Sequence, residues 1–146
     1  MAATPEEVRV ECTHVTDAVS CGGIAFQFGR SHGLDATRAR ELAIAASELV
    51  VNAVRHAGGG VMELRLRDGA VELCVRDEGP GIPNVDAALR DGWSRGRALL
   101  PCDSRRHGLG SGLGAVARLM DDLEVHVAGA AGARTKGTTI IARKRP

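Results

Sequence analysis

Aromatic residues are almost missing from this chain: Phe26, Phe28 and Trp93 supply only 2% of it, and tyrosine does not occur. A core with so few rings has to be built mainly from branched aliphatics and alanine, and the 19 glycines allow elements to pack closely. An excess of charge is missing too. The 19 Lys and Arg against 18 Asp and Glu leave a formal charge of +1, which gives no strong field for nucleic acid or a membrane surface. No apolar run approaches the ~18 residues of a membrane span. The start MAATPEEVRV lacks a basic, apolar leader, so secretion is not expected. Cys12, Cys21, Cys74 and Cys102 are scattered without a CxxC pair, which disfavours a zinc site and predicts isolated thiols in a reducing cytosol.

What remains is a 146-residue chain that is 44% hydrophobic. That predicts one domain over 1–146, burying roughly two-thirds of its unfolded surface without metal or disulfide support. Asp35 to Ala57 reads as one long helix. Leu42, Ala46, Leu49, Ala53 and Ala57 recur at steps of three or four, Asp35 is placed as N-cap, and Gly58-Gly59-Gly60 ends it. Glu48, Asn52 and His56 share another face at i, i+4 and i+8, and from the helix alone that face is either solvent surface or the floor of a site.

Around this helix, Glu7–Thr13 alternates as a short strand. Asp17–His32 reads as a helix with Val19, Ile24, Phe26 and Phe28 as buried positions, weakened at Gly22-Gly23. A strand from Val61 to Arg67, a hairpin at Asp68-Gly69 and a returning strand from Ala70 follow, with Val71, Leu73 and Val75 on one face. Asn84–Asp91 is expected to be a short helix. The basic stretch Gly92–His107 is expected to be an irregular lid. A helix through Ala115, Val116, Leu119 and Met120 leads to a strand Leu123–Val127, a turn Gly129–Lys136 and a final strand from Gly137, with Arg143-Lys144-Arg145 as a basic tail. Hairpins without intervening helices exclude a doubly wound parallel sheet. They predict a two-layer α/β sandwich with a mixed, mostly antiparallel sheet and helices on one face.

Three pieces carry chemistry. Gly108, Gly110, Gly112 and Gly114 alternate ahead of a helix, which suits backbone N–H groups offered to a large anion, with a flexible hinge as the lesser alternative. The run lacks the GK[ST] of a P-loop and the βαβ setting of a dinucleotide fingerprint. Asp77 stands where a strand meets Gly79-Pro80-Gly81. It could accept from a buried donor such as an adenine amino group, or simply cap a turn. Glu48 can orient or deprotonate a hydroxyl, and the Asn52 amide oxygen can coordinate Mg2+ carried on phosphates.

In order, Glu48-Leu-Val-Val-Asn52-Ala-Val-Arg-His56-Ala57, Asp77-Glu-Gly79-Pro-Gly81-Ile82 and Gly108-Leu109-Gly110-Ser111-Gly112-Leu113-Gly114 resemble the signatures of the Bergerat-fold ATP-binding superfamily, which includes gyrase B, MutL, histidine kinases and small anti-sigma serine kinases. Within it, the chain is most similar to the stand-alone serine/threonine kinases of bacterial partner-switching systems, of the RsbT type, on Asp91-Gly92-Trp93-Ser94 and Gly137-Thr138. The long stretch Arg95–His107 and His56-Ala57 are more similar to the RsbW/SpoIIAB anti-sigma kinases.

The resemblance implies ATP and Mg2+ as cofactors, Glu48 as catalytic base, Asn52 as metal ligand and Asp77 as adenine anchor. It implies that Gly79, Gly81, Ile82 and Thr138 shape the base pocket. Gly108, Leu109, Gly110, Ser111, Gly112 and Leu113 would hold the phosphates, with Arg106 reaching them from the lid. The implied function is a cytoplasmic kinase of a STAS-domain antagonist. Alternatives are an anti-sigma kinase that sequesters a sigma factor, or a nucleotide-dependent switch without turnover that docks on a stressosome or a PP2C-type phosphatase. A second copy of the chain is a further expected partner.

Overall fold

The computed structural model describes residues 3–79, 93–94, 97–98, 112–127 and 137–146. Two helices form the first layer, α1 (Asp17–Ser31) and α2 (Ala36–Ala57), joined later by the short α3 (Leu113–Leu119). The second layer is a five-stranded sheet of β1 (Glu7–Cys12), β2 (Gly60–Arg67), β3 (Ala70–Asp77), β6 (Asp122–Val127) and β7 (Thr138–Lys144), in the order β1-β2-β3-β7-β6. Every neighbouring pair in it is antiparallel, so the expected mixture of directions resolves to one. Two-residue strands β4 (Trp93–Ser94) and β5 (Arg97–Ala98) pair with each other, where the sequence suggested no regular structure. The expected helix 84–91 and turn 129–136 lie outside the described residues.

Local chemistry sets the element ends. The Asp35 carboxylate accepts the Arg38 backbone N–H at 2.8 Å, and Gly58 closes α2 in the left-handed region at φ 77°. Asp68 and Gly69 have φ 51° and 78°, the type I′ geometry that an Asp-Gly hairpin favours. At the entrance to α1, Asp17 accepts the N–H groups of Thr13 and His14 at 2.9 and 3.0 Å, and these bonds lower its pKa.

Register puts Met62, Leu64, Val71, Leu73, Val75, Ile140 and Ala142 on the face that α2 covers. The opposite face is polar, yet Glu63 and Glu72 are buried there among arginines. Glu72 sits between Arg65 and Arg143 across three strands, with ion pairs of 3.5 and 3.1 Å. Direct cross-strand pairs of opposite charge let this face stay charged without leaving its carboxylates uncompensated.

Three expectations need correction. Val19 is 81% exposed, because α1 buries Ala18, Cys21, Gly22, Ala25, Phe28 and Gly29, a stripe that leaves Val19 a helical step of about 100° outside it. Arg143 and Lys144 are no tail: both belong to β7, and Lys144 is buried, donating to the Leu119 carbonyl at 2.5 Å and pairing with Glu41. Cys12 and Cys21 are not isolated; their Sγ atoms lie 3.4 Å apart in the core. No described helix is long and apolar enough to cross a membrane.

Candidate active site

The polar face of α2 runs from the interior to solvent along the helix. Glu48 is 5% exposed, Asn52 is half-buried and His56 is exposed. A carboxylate buried to that degree is not ordinary solvent surface, since desolvating it costs free energy that burial alone does not return.

At the far end of α2 the C-terminal end of the central strand supplies a second group. Asp77 ends β3 opposite Thr138, the buried first residue of β7. Its Oδ1 accepts the Gly79 N–H at 3.0 Å, and Oδ2 takes no hydrogen bond from the described residues. The turn-capping reading of Asp77 is seen directly in that bond. A Cβ on Gly79 would lie 2.5 Å from the Ala57 Cβ, so this glycine lets the turn press against the last residue of α2. Gly137, at φ 128°, does the same beneath the Asp77 carbonyl, where a Cβ would come within 2.4 Å of the oxygen. Asp77, Gly79, Thr138 and the end of α2 thus meet in one place. From Ala57, Asn52 lies about 7.5 Å back along the helix axis and Glu48 about 13.5 Å.

Gly112 N-caps α3 at φ 69°, a conformation that favours glycine. Leu113 is buried in the main core, so its position is fixed by packing. Gly81, Ile82, Arg106, Gly108, Leu109, Gly110 and Ser111 lie outside the described residues. Among the described residues no three His, Cys, Asp or Glu side chains cluster to hold a metal. The Asn52 amide oxygen is a donor of the kind that Mg2+ takes.

Sequence reasoning missed a groove of about 350 Å³ between α1 and α2. Glu48 and Ser47 line it together with the apolar Ala18, Val19, Ala43, Ile44 and Val51. The helices approach closely here: Ser47 Oγ donates to the Ala18 carbonyl at 3.0 Å, and a Cβ on Gly22 would meet Ser47 Oγ at 2.6 Å. The glycine that weakens α1 in isolation is what admits α2. The available signal was the pairing of small residues four apart on both helices, Ala18 with Gly22 and Ala43 with Ser47.

Comparison with known proteins bears on this geometry. The family model described as the histidine kinase-like ATPase domain matches residues 2–144. The serine/threonine-protein kinase RsbT of Bacillus subtilis (strain 168) is 30% identical over 134 residues, covering 88% of each chain. Among solved structures, the mycobacterial sensor histidine kinase MprB superposes with a TM-score of 0.53 at 24% identity, over 95% of this chain and 99% of its own, a likeness of fold.

Proposed function

The chain belongs to the histidine kinase-like ATPase domain family, and on that premise we propose that it is an ATP-dependent protein serine/threonine kinase whose substrate is a STAS-domain protein of a partner-switching pathway. The observation that carries this reading is the burial of Glu48 on the same helix whose end meets Asp77, Gly79 and Thr138. A kinase site needs an acceptor for the base at one end and a proton acceptor for the incoming hydroxyl at the other. In this reading Asp77 and Glu48 fill those roles from one scaffold, and a serine/threonine-protein kinase is among the chain's relatives.

In this reading Asp77 Oδ2 accepts the adenine amino group, and Gly79, Gly81, Ile82 and Thr138 wall the base. Backbone N–H groups of the run Gly108, Leu109, Gly110, Ser111, Gly112 and Leu113 hold the phosphates, and Arg106 meets the outer ones. Asn52 is the protein oxygen for Mg2+, which when bound offsets phosphate charge. Glu48 takes the proton of the incoming Ser or Thr hydroxyl. The hydroxyl oxygen bonds to the γ-phosphorus, the bridging bond to the β-phosphate breaks, and ADP leaves with that electron pair.

The test is Glu48→Gln in a phosphotransfer assay with purified STAS-domain proteins, alongside ATP titration. Transfer is expected to fall by about 10²–10⁴-fold with ATP affinity retained. Undiminished transfer would remove Glu48 from its role. A parent chain that binds ATP but phosphorylates no STAS-domain protein would leave the non-catalytic switch as the better account. Capture of partners with and without Mg-ATP, followed by mapping the phosphorylated residue, identifies the substrate.

A further inference from the structure

We propose that the groove between α1 and α2 is the docking channel for the phosphoacceptor segment of the protein substrate, a stretch carrying an aliphatic residue near the Ser or Thr and acidic residues around it. This rests on the kinase reading of Glu48.

The groove is continuous with the proposed chemistry, because Glu48 is part of its wall. Every other side chain lining it is apolar except Ser47, whose hydroxyl is already donated to the Ala18 carbonyl. A volume of about 350 Å³ takes one or two aliphatic side chains and offers little to a polar one. The rim is apolar as well: Val19, which lines the groove, is 81% exposed, one of only three large hydrophobic side chains exposed among the described residues. On a surface with so few exposed aliphatics, one of them at the mouth of an apolar groove marks a contact site.

Charge selects the occupant. Two rows of α2 border the groove, Arg40–Ile44–Glu48 and Ser47–Val51–Arg55, each spaced by four residues. Arg40 lies one turn before Ile44 and Arg55 one turn after Val51, so the apolar strip has an arginine at either end. Both are exposed, and neither pairs with a described residue. An acidic, aliphatic segment laid along this strip would satisfy both ends and bring its hydroxyl to Glu48. A second copy of this chain, presenting the same apolar and basic surface, would set arginines near arginines.

The experiment compares the parent chain with Val19→Asp, Val19→Ile and Arg40→Glu/Arg55→Glu, using a purified STAS-domain protein as phosphoacceptor. Val19 is exposed, so the aspartate variant should fold, and circular dichroism checks it. Losing one buried aliphatic contact and adding an unpaired carboxylate should raise KM for the protein substrate at least about tenfold. Val19→Ile should leave KM near the parent value, and nucleotide affinity should stay constant across the series. The arginine pair reversal should also raise KM and flatten its salt dependence. A KM for Val19→Asp within twofold of the parent value overturns the proposal. So does a change confined to oligomeric state by light scattering, which would give the groove to a second copy. If the unmutated chain binds ATP yet transfers phosphate to no STAS-domain protein, the kinase reading itself falls and takes this inference with it. The two failures are distinguishable, since only the second appears in the parent chain.

Discussion

The Asp77 carboxylate accepts the Gly79 backbone N–H through Oδ1 at 3.0 Å, while Gly79 itself rests against Ala57. One residue therefore shapes the turn that carries it, and its Oδ2 takes no hydrogen bond from the described residues. Asp77→Asn separates the turn cap from the proposed adenine contact, because the amide oxygen can still accept from Gly79 whereas the amide nitrogen cannot accept from an adenine amino group. Stability should change by no more than about 0.5 kcal/mol, and ATP affinity should fall about 10- to 100-fold, the worth of a hydrogen bond to a charged group. Calorimetric titration with ATP decides it; unchanged affinity would leave Asp77 as a turn cap alone. Gly79→Ala should behave oppositely. Its Cβ meets the Cβ and Cα of Ala57 at 2.5 and 3.0 Å, atoms with no rotamer to escape into. A stability loss of about 1–3 kcal/mol should accompany any loss of binding.

Lys144 ties three elements together, with Nζ donating from β7 to the last carbonyl of α3 and pairing with Glu41 of α2. It is 4% exposed, and Glu41 stays partly open to water. Lys144→Met keeps the side chain's length but leaves the Leu119 carbonyl and Glu41 without their partner. We expect about 2 kcal/mol of lost stability, below the figure for a fully buried pair because solvent can reach Glu41. Urea unfolding should show a lower midpoint at an unchanged m value. An unmoved midpoint would make the contact incidental.

Lys144 also marks where the sequence stops being legible. A Lys between two arginines near a chain end reads as tail; only the pairing of β7 with β3, seventy residues earlier in the chain, turns it inward opposite Val71. Asp35, Gly58 and Asp68-Gly69 were readable because their reasons are local: a cap, a left-handed residue, a tight turn. Strand alternation was readable for the same reason, and with it the two-layer fold. Val19 fails that logic. Its apolar character fits a core position, but which stripe of α1 is buried depends on where Ala18 and Gly22 meet Ser47 of α2. Of the site, the α2 face could be located from its motif, whereas the burial of Glu48 and the groove beside it arise from helix packing that no local pattern encodes.

Cys12 and Cys21 give the last prediction. Burial pushes the Cys21 thiol up to about 12, helped by its hydrogen bond to Cys12 and by the nearby Cys12 and Asp17. Burial also raises Cys12 and Cys74. The two Sγ atoms lie 3.4 Å apart, and either thiol can donate to the other. Unfolded thiols ionise near 9.0, and the folded Cys21 does so only near 12. Above pH 9 the folded chain therefore holds more protons than the unfolded one, so this contribution is fully present below pH 9 and is lost as pH rises from 9 to 12. One such thiol steepens the alkaline loss by at most about 1.4 kcal/mol per pH unit. Cys21→Ala should destabilise the chain at neutral pH through lost packing, yet show a shallower decline between pH 9 and 11 when urea midpoints are followed. In the native parent chain, Cys12, Cys21 and Cys74 should resist iodoacetamide at pH 8, because neutral buried thiols are poor nucleophiles. Parallel pH profiles for parent and variant, or rapid native labelling of Cys21, would contradict a protonated thiol pair in the core.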